Sequence, residues 1–567
     1  MASTTAEDPK SAPPLRSPHF WLFRMFPLRQ VIPALLLAVV VALVTAAFGA
    51  PPIAAVAGGV ALALVALVPI RGATVAARVG GAITFRWQVF RNRSATVNHA
   101  PFDVPLPDGG SYGMRWDGLH LITMLRIDAQ PPFVTRLGPS GLSAGEMIPL
   151  PELARCLSQF DIALAAIDVI STGSRTSDAG AVARLYDQML GPLPAVAHRT
   201  VWIVLRLDPL SNTDAVTRRG GGSTGTLRTA LVATQRVANR LAARELTASV
   251  LSAAEMTAAV NQLVRGGHLD EFSESPDSLE QNGVHSTTYR VALEEFGDRG
   301  FTDIWATQSL ATTLTLRLRP ATGSAAPGST SGIEVTATAR FDARHQPAEA
   351  TVPGLVPLRG KQYRALVHSL PIGDRGPELP IDGSLGTPES LAGFDLPLTG
   401  CGQLIGADSS GQGVAVPLVG HVRRVEIIGA LLIAKQVILR AIALGATVVV
   451  HTNRHEQWRE MVAYVDSPQA LSLATWSAGS QQANAYRAAT VIVYDGLTPS
   501  THHSDATVIL LRQESGGAGF DPDLTLVEDS ETANLVTLRS AAGSTQVHMV
   551  ATPFEMTYLG APQPIPV

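Results

Sequence analysis

The chain has 567 residues, 46% hydrophobic and only 16% charged, which is material for two or three globular domains. Ordinary globular chains carry about 25% charged residues, and the deficit here argues against wholesale disorder. A net charge of −4 gives no electrostatic reason for a nucleic-acid partner, and two cysteines, Cys156 and Cys401, cannot build a disulfide framework. Only three basic residues, Lys10, Lys361 and Lys435, are lysines; the preference for arginine and alanine is the nucleotide bias of a high-GC bacterial genome.

In chain order, Val31 to Phe48 and Ile53 to Ile70 each run without a charge, separated by Gly49-Ala50-Pro51-Pro52. At the α-helical rise each covers roughly 27 Å, near the thickness of a hydrocarbon core. The pattern predicts a transmembrane hairpin over 31–70, with helices at 31–48 and 53–70. Arg16, Arg24 and Arg29 precede the pair and Arg71 and Arg78 follow it, whereas the turn has no basic residue. Both termini and the soluble bulk are therefore expected on the cytoplasmic side of the inner (plasma) membrane, as a multi-pass protein. A cleaved signal peptide fits poorly, because a second apolar run follows at once. Ala34, Ala38, Ala42 and Ala46 recur every fourth residue, as do Ala55, Gly59 and Ala63, which marks a seam for close helix packing. Neither run contains an ionisable residue, so the hairpin reads as an anchor rather than an ion path.

A basic juxtamembrane segment, 71–100, leads into a region of different character. Leu119 to Ile127 and Ile162 to Ser171 read as strands, and Thr200 to Leu207 (TVWIVLRL) reads as a strand covered on both faces. Gly225 to Leu241 and Ala253 to Val264 read as amphipathic helices. The alternation predicts a Rossmann-like mixed α/β domain over 101–350, its sheet largely parallel from 111 to 270. Thr287 to Leu293, Leu310 to Leu318 and Ile333 to Phe341 alternate as antiparallel strands do, with a flexible loop at 321–332. A Gly/Pro-rich connector at 351–400 precedes a second α/β segment at 401–567. The expected fold class is thus membrane-anchored α/β, with residues 1–30 as a cytoplasmic N-terminal segment.

Two glycine motifs invite a nucleotide reading. Gly220-Gly221-Gly222-Ser223-Thr224-Gly225 fits G-x-G-x-x-G, but it does not leave a strand directly and lacks the acid expected after the next strand. Arg218 and Arg219 beside it suit a generic anion or an acidic partner. Gly429 to Gln436 has P-loop spacing with Lys435 in place, but Ala434 replaces the second glycine and Gln436 the hydroxyl residue. His451 and His455 are four apart but fall on different elements, and His502 and His503 point to opposite sides. No catalytic, cofactor or metal residues are expected.

Arg155-Cys156-Leu157-Ser158-Gln159-Phe160-Asp161-Ile162 runs into Ala166-Ile167-Asp168. Further on come Arg199 to Pro209 (RTVWIVLRLDP), Arg218-Arg219-Gly220-Gly221-Gly222 and Val237-Ala238-Asn239-Arg240-Leu241. In combination with the apolar pair, these phrases make the chain resemble EccE, a core component of the mycobacterial type VII (ESX) secretion system. The resemblance is strongest from 150 to 265. It implies an inner-membrane complex subunit in contact with lipid, assembled with EccB, EccC and EccD toward the periphery of a protein-export channel, with ATP hydrolysis assigned to EccC. The expected function is that of a non-catalytic structural subunit; the alternative is a membrane-tethered enzyme using a nucleotide or nucleotide-sugar.

Overall fold

The structure is a computed structural model that describes residues 13–18, 28–49, 51–70, 73–75, 80, 85, 99–106, 109–128, 133–138, 141–142, 145–177, 180–296, 301–321, 332–345, 352–373, 379, 381–474, 489–499, 505–513 and 520–560. Helices α1 (Leu28–Ala47) and α2 (Pro52–Leu67) pack side by side. Small side chains make this possible: Ala34, Ala38, Ala55, Gly59 and Ala63 are buried, and a Cβ on Gly59 would lie 2.5 Å from the Ala38 carbonyl oxygen. Ala42 is half-buried and Ala46 exposed. The expectation of two membrane-spanning helices is corrected here, because among the described residues no helix is long and apolar enough to cross a membrane. α2 has 16 residues, about 24 Å at the α-helical rise and short of a hydrocarbon core of about 30 Å. α1 begins three residues earlier than expected and takes Arg29 and Gln30 into its first turn. Large apolar side chains such as Leu36, Leu43, Ile53 and Leu64 remain exposed on the outer faces of the pair.

The next strands are β1 (Phe102–Pro105), β2 (Ser111–Trp116), β3 (Leu121–Ile127) and β4 (Thr135–Gly138), followed by α3 (Leu150–Arg155). A two-stranded ribbon, β5 (Ser158–Gln159) and β6 (Ile162–Ala163), leads into β7 (Ala166–Ser174), α4 (Gly180–Leu190) and β8 (His198–Leu207). After α5 (Thr213–Arg218) and α6 (Gly222–Ala242) come β9 (Ala248–Val250), α7 (Ala253–Leu263), β10 (Val284–Val291), β11 (Ala311–Pro320), β12 (Ile333–Ala343) and α8 (Gln362–Ser369). The first sheet runs β10-β12-β11-β7-β8-β3-β2-β1, with β9 also on β3. Each of these pairings is antiparallel.

That topology overturns the Rossmann-like, largely parallel reading of this region. The reason lies in how the sheet is covered. Ile203 and Leu205 of β8 face a core that includes Ala230, Ala233 and Val237 of α6. Trp202 and Val204 face the other way, onto Met256 and Val260 of α7 and Leu366 of α8. An antiparallel strand sandwiched between helices carries the same unbroken apolar run as a parallel one.

The second sheet adds β13 (Gln403–Ala407), β14 (Gly413–Val416), β15 (Arg424–Ile428), α9 (Leu431–Ala443), β16 (Val448–Thr452), α10 (His455–Val465), β17 (Leu471–Leu473), β18 (Val491–Asp495), β19 (Thr507–Arg512), β20 (Leu524–Glu528), β21 (Leu535–Ser540), β22 (Gly543–His548) and α11 (Pro553–Leu559). Its order is β17-β16-β18-β19-β15-β20-β21-β22-β13-β14-β4. The half from β17 to β20 is parallel; the rest is antiparallel. β4, from early in the chain, therefore completes the later sheet. α4 does likewise, burying Val182, Tyr186 and Leu190 in the second core. Ser177 N–H and Oγ donate to the Ala443 carbonyl, and Arg175 spends its guanidinium on Asp187 and the Leu193, Gly191 and Ala306 carbonyls.

Candidate functional site

The first sheet is locked by a buried ion cluster. Asp168 on β7 is 1% exposed and accepts from Arg206 Nε of β8 at 2.9 Å and from Arg317 Nε and Nη2 of β11 at 2.6 and 2.9 Å. Burial alone would push its carboxyl up, but the two guanidinium groups hold it well below the usual range. Arg206 continues to Asp117 at 3.0 Å, and Arg317 reaches the ring of His368 on α8 at 3.0 Å. Burial, with Arg317 beside it, pushes His368 down to about 2 and keeps its ring neutral. This network joins three strands and one helix with its charges matched, which is a structural use of ionisable groups.

At one end of the same sheet lies the ribbon β5–β6. Asp161 at its tip accepts from Arg219 Nη1 at 2.8 Å and Nη2 at 3.2 Å, and from Arg236 Nη1 at 3.4 Å. Arg219 holds the carboxyl down to about 2. Of the two arginines expected to meet an anion or partner, Arg219 is thus committed internally, whereas Arg218 is 66% exposed and 3.9 Å from Asp161. The glycine run beside them is a corner between helices: Gly220, Gly221 and Gly222 have φ of 108°, 66° and 55°. A Cβ on Gly225 would meet the Val216 carbonyl at 2.3 Å, so this glycine lets α6 pack on α5. Arg236 and Asp161, which complete the cluster, were not legible as partners, being 75 residues apart.

The P-loop-like stretch also has an internal role. β15 ends at Ile428 and α9 opens at Leu431, as a P-loop would require, but Glu528 Oε2 accepts from the Ala430 N–H at 2.6 Å and so occupies the helix N-terminus. Lys435 is buried; its Nζ donates to the Leu559 carbonyl at 3.1 Å, and burial lowers its pKa. Gln436 Nε2 donates to the Val550 carbonyl and to Glu555, and Arg440 Nε pairs with Glu555 at 2.8 Å. These side chains dock α11 on α9. Beside them, at the carboxyl edge of the parallel strands, a cleft of about 420 Å³ is lined by Gly429, Ala430, Asn453, Arg454, Gly496 and Arg512, among others. Arg454 is held there by Asp495, which also accepts from Thr452 Oγ1 at 2.8 Å and Trp458 Nε1 at 2.9 Å.

The remaining residues of interest have plain settings. His451 stacks on Tyr494 with ring centroids 5.0 Å apart, and burial lowers its pKa; His455 opens α10. Both cysteines are buried and unpaired, and burial pushes Cys156 to about 11 and Cys401 to about 12. Among the described residues no group of three or more His, Cys, Asp or Glu is placed to hold a metal ion. Arg16 bridges by its backbone to Leu385, beside the first sheet. Arg24, Arg71, Arg78, His502 and His503 lie outside the described residues, as does the Arg29 side chain.

Comparison with known proteins completes the picture. Residues 195–291, from β8 through β10, match the family model described as "Putative type VII ESX secretion system translocon, EccE". The chain is 25% identical over 326 residues to the ESX-1 secretion system protein EccE1 of Mycolicibacterium smegmatis, covering 56% of this chain and 65% of that one. It is 24% identical over 406 residues to the ESX-2 secretion system protein EccE2 of Mycobacterium tuberculosis, covering 68% and 71%. Against the ESX-1 secretion system protein EccE1 of Mycobacterium tuberculosis the figures are 28% over 187 residues, 32% and 40%. The matched stretch thus spans less than two thirds of either EccE1 relative. The family-model match, which contains Arg206, Arg219 and Arg236 of the two clusters, and these relatives make the chain similar to EccE components of type VII (ESX) secretion systems.

Proposed function

We propose that the chain is a non-catalytic structural subunit of a type VII (ESX) secretion complex at the bacterial inner membrane, supporting assembly and stability of the export machinery, with EccB, EccC and EccD as its partners. The observation that carries this reading is the use made of the P-loop-like stretch: Lys435 and Gln436 bind the C-terminal helix and Glu528 fills the helix N-terminus. The groups that would handle a nucleotide hold the fold together instead. The exposed apolar flanks of α1 and α2 supply the surface by which the chain attaches to the membrane complex, since an uncovered patch of this size marks an interaction site. Affinity purification of the tagged full chain from detergent-solubilised membranes tests the proposal. Recovery of EccB, EccC and EccD is the expected result; recovery of none of them contradicts it.

A second reading, a nucleotide- or nucleotide-sugar-dependent enzyme, is favoured by one observation: the cleft at the carboxyl edge of the parallel strands occupies the place where open α/β sheets bind ligands. Calorimetric titration of the full chain with ATP, GTP and a uridine diphosphate sugar separates the two. Saturable binding abolished by Arg454→Ala supports the enzyme, and no heat of binding supports the structural subunit.

A further inference from the structure

The ribbon β5–β6 presents one aromatic side chain to solvent in a manner the fold does not require. Phe160, at its apex, is 98% exposed and has φ of 56°, a left-handed conformation in which a bulky side chain is a steric outlier. The strain persists because the neighbours over-determine the turn. Asp161 is gripped by both Nη atoms of Arg219, Arg236 Nη1 donates to the Gln159 carbonyl at 2.9 Å, and Asn212 clasps Ala163 through two hydrogen bonds of 2.8 Å. The Arg236 guanidinium lies 5.3 Å from the Phe160 ring centroid, so the ring sits against a cation and projects outward. Leu210, 80% exposed, belongs to the loop whose Asn212 clasps the ribbon.

The charge around this apex is unbalanced. Arg218, Arg219 and Arg236 share the carboxylate of Asp161, so within this ion-paired group cations outnumber carboxylates by two, while Asp208 and Asp214 lie on the adjoining loop and the first turn of α5. Further along α6, Arg155, Arg240 and Arg244 share Glu152, and Arg155 also pairs with Glu389 at 3.0 Å, so cations outnumber carboxylates there by one. α6 itself contains Arg228, Arg236 and Arg240 and no acidic residue. In a chain whose net charge is −4, this face is locally cationic, with an exposed aromatic side chain on a constrained turn at its edge. Rigid aromatic and arginine side chains are the anchors around which protein interfaces are built, and complementary charge directs the encounter.

We propose that Phe160, Leu210, Arg218 and Arg236 form a docking site for another protein subunit of the secretion complex, one that offers an apolar pocket bordered by carboxylates. The proposal rests on the structural-subunit reading above and adds which surface is used and what it meets. The ring fills the pocket; the guanidinium groups of Arg218 and Arg236 take the bordering carboxylates. Burying the ring in a partner also gives the strained turn a function that folding alone does not.

The test uses the full chain, tagged, in membranes containing EccB, EccC and EccD, with Phe160→Gly and Arg218→Glu compared with the parent. Phe160→Gly relieves the positive φ, so its melting temperature is expected to equal or exceed that of the parent, and a loss of binding cannot then be assigned to unfolding. Each variant is expected to lower recovery of at least one of the three subunits about tenfold or more. A photo-crosslinking amino acid at position 160 is expected to form its adduct with that same subunit. Parent-like recovery of all three by both variants overturns the inference, as does an adduct formed only with lipid or with a second copy of the chain. Failure of the parent itself to recover any subunit overturns the secretion-complex reading instead, so the two failures are distinguishable.

Discussion

Replacing Asp168 by alanine removes the carboxylate that bridges Arg206 and Arg317 in the buried cluster between β7, β8 and β11. Three charge-assisted hydrogen bonds disappear, at 2.9, 2.6 and 2.9 Å, and two guanidinium groups lose a carboxylate at its centre. Breaking a buried pair from one side costs about 3–5 kcal/mol, mostly because the remaining charge is left uncompensated. Arg206 keeps Asp117 and Arg317 keeps a hydrogen bond to His368, so the lower half of that range, about 3–4 kcal/mol, is expected. Equilibrium urea unfolding at pH 7, followed by circular dichroism, reads this as an earlier transition for the first sheet. The pH dependence supplies an independent check. Because Arg317 and Arg206 hold the Asp168 carboxyl down against burial, its contribution is complete above about pH 4 and is lost as the pH falls toward the folded value. The acid limb of the stability curve is therefore steeper in the parent than in Asp168→Ala. A change below about 1 kcal/mol at pH 7, or parallel acid limbs, would refute the reasoning.

Three further outcomes follow from the packing. Gly59→Leu forces a side chain against the Ala38 carbonyl, 2.5 Å from the position its Cβ would take, and should weaken the α1–α2 pair by about 1–3 kcal/mol; faster proteolysis between α1 and α2 measures it, and an unchanged rate would count against the seam. Glu555→Ala strands Arg440, whose Nε it accepts at 2.8 Å, and should release α11 so that the C-terminal segment becomes protease-sensitive, while a C terminus as resistant as the parent's would contradict the docking role of α9. Cys156 and Cys401, both buried and with thiols raised to about 11 and 12, should react with Ellman's reagent at neutral pH only after denaturation; fast labelling of the native chain would show that the cores are open.

Local periodicity carried most of the secondary structure. The helix expected over 225–241 runs Gly222–Ala242, the one over 253–264 runs Ala253–Leu263, and the strand at 200–207 runs His198–Leu207. Pairing was a different matter. TVWIVLRL states that both faces are covered, and helices on both sides of an antiparallel sheet satisfy that as well as a parallel sheet does. The partnership of Asp168 with Arg317 spans 149 residues, and that of Lys435 with the Leu559 carbonyl spans 124; neither leaves a trace in spacing. The two expected spans are not met among the described residues, where no helix is long and apolar enough to cross a membrane; α2 stops at Leu67, after 16 residues, a limit set by where the helix begins and ends. Phe160 lies within a stretch that carries the resemblance to EccE, yet nothing in Gln159-Phe160-Asp161-Ile162 says that the ring faces solvent; that follows from a positive φ which Arg219 and Asn212 enforce.

Whether the chain acts as structure or as catalyst is decided most directly in a strain lacking it, where the size of the secretion complex on native gels and protein export are measured together. Complementation with the full chain carrying Arg454→Ala and Asn453→Ala, which alter the cleft, should restore both the complex and export, whereas omitting the chain should leave a smaller or unstable complex. A complex of full size without the chain, or an intact complex that no longer exports when the cleft is altered, would contradict a structural role.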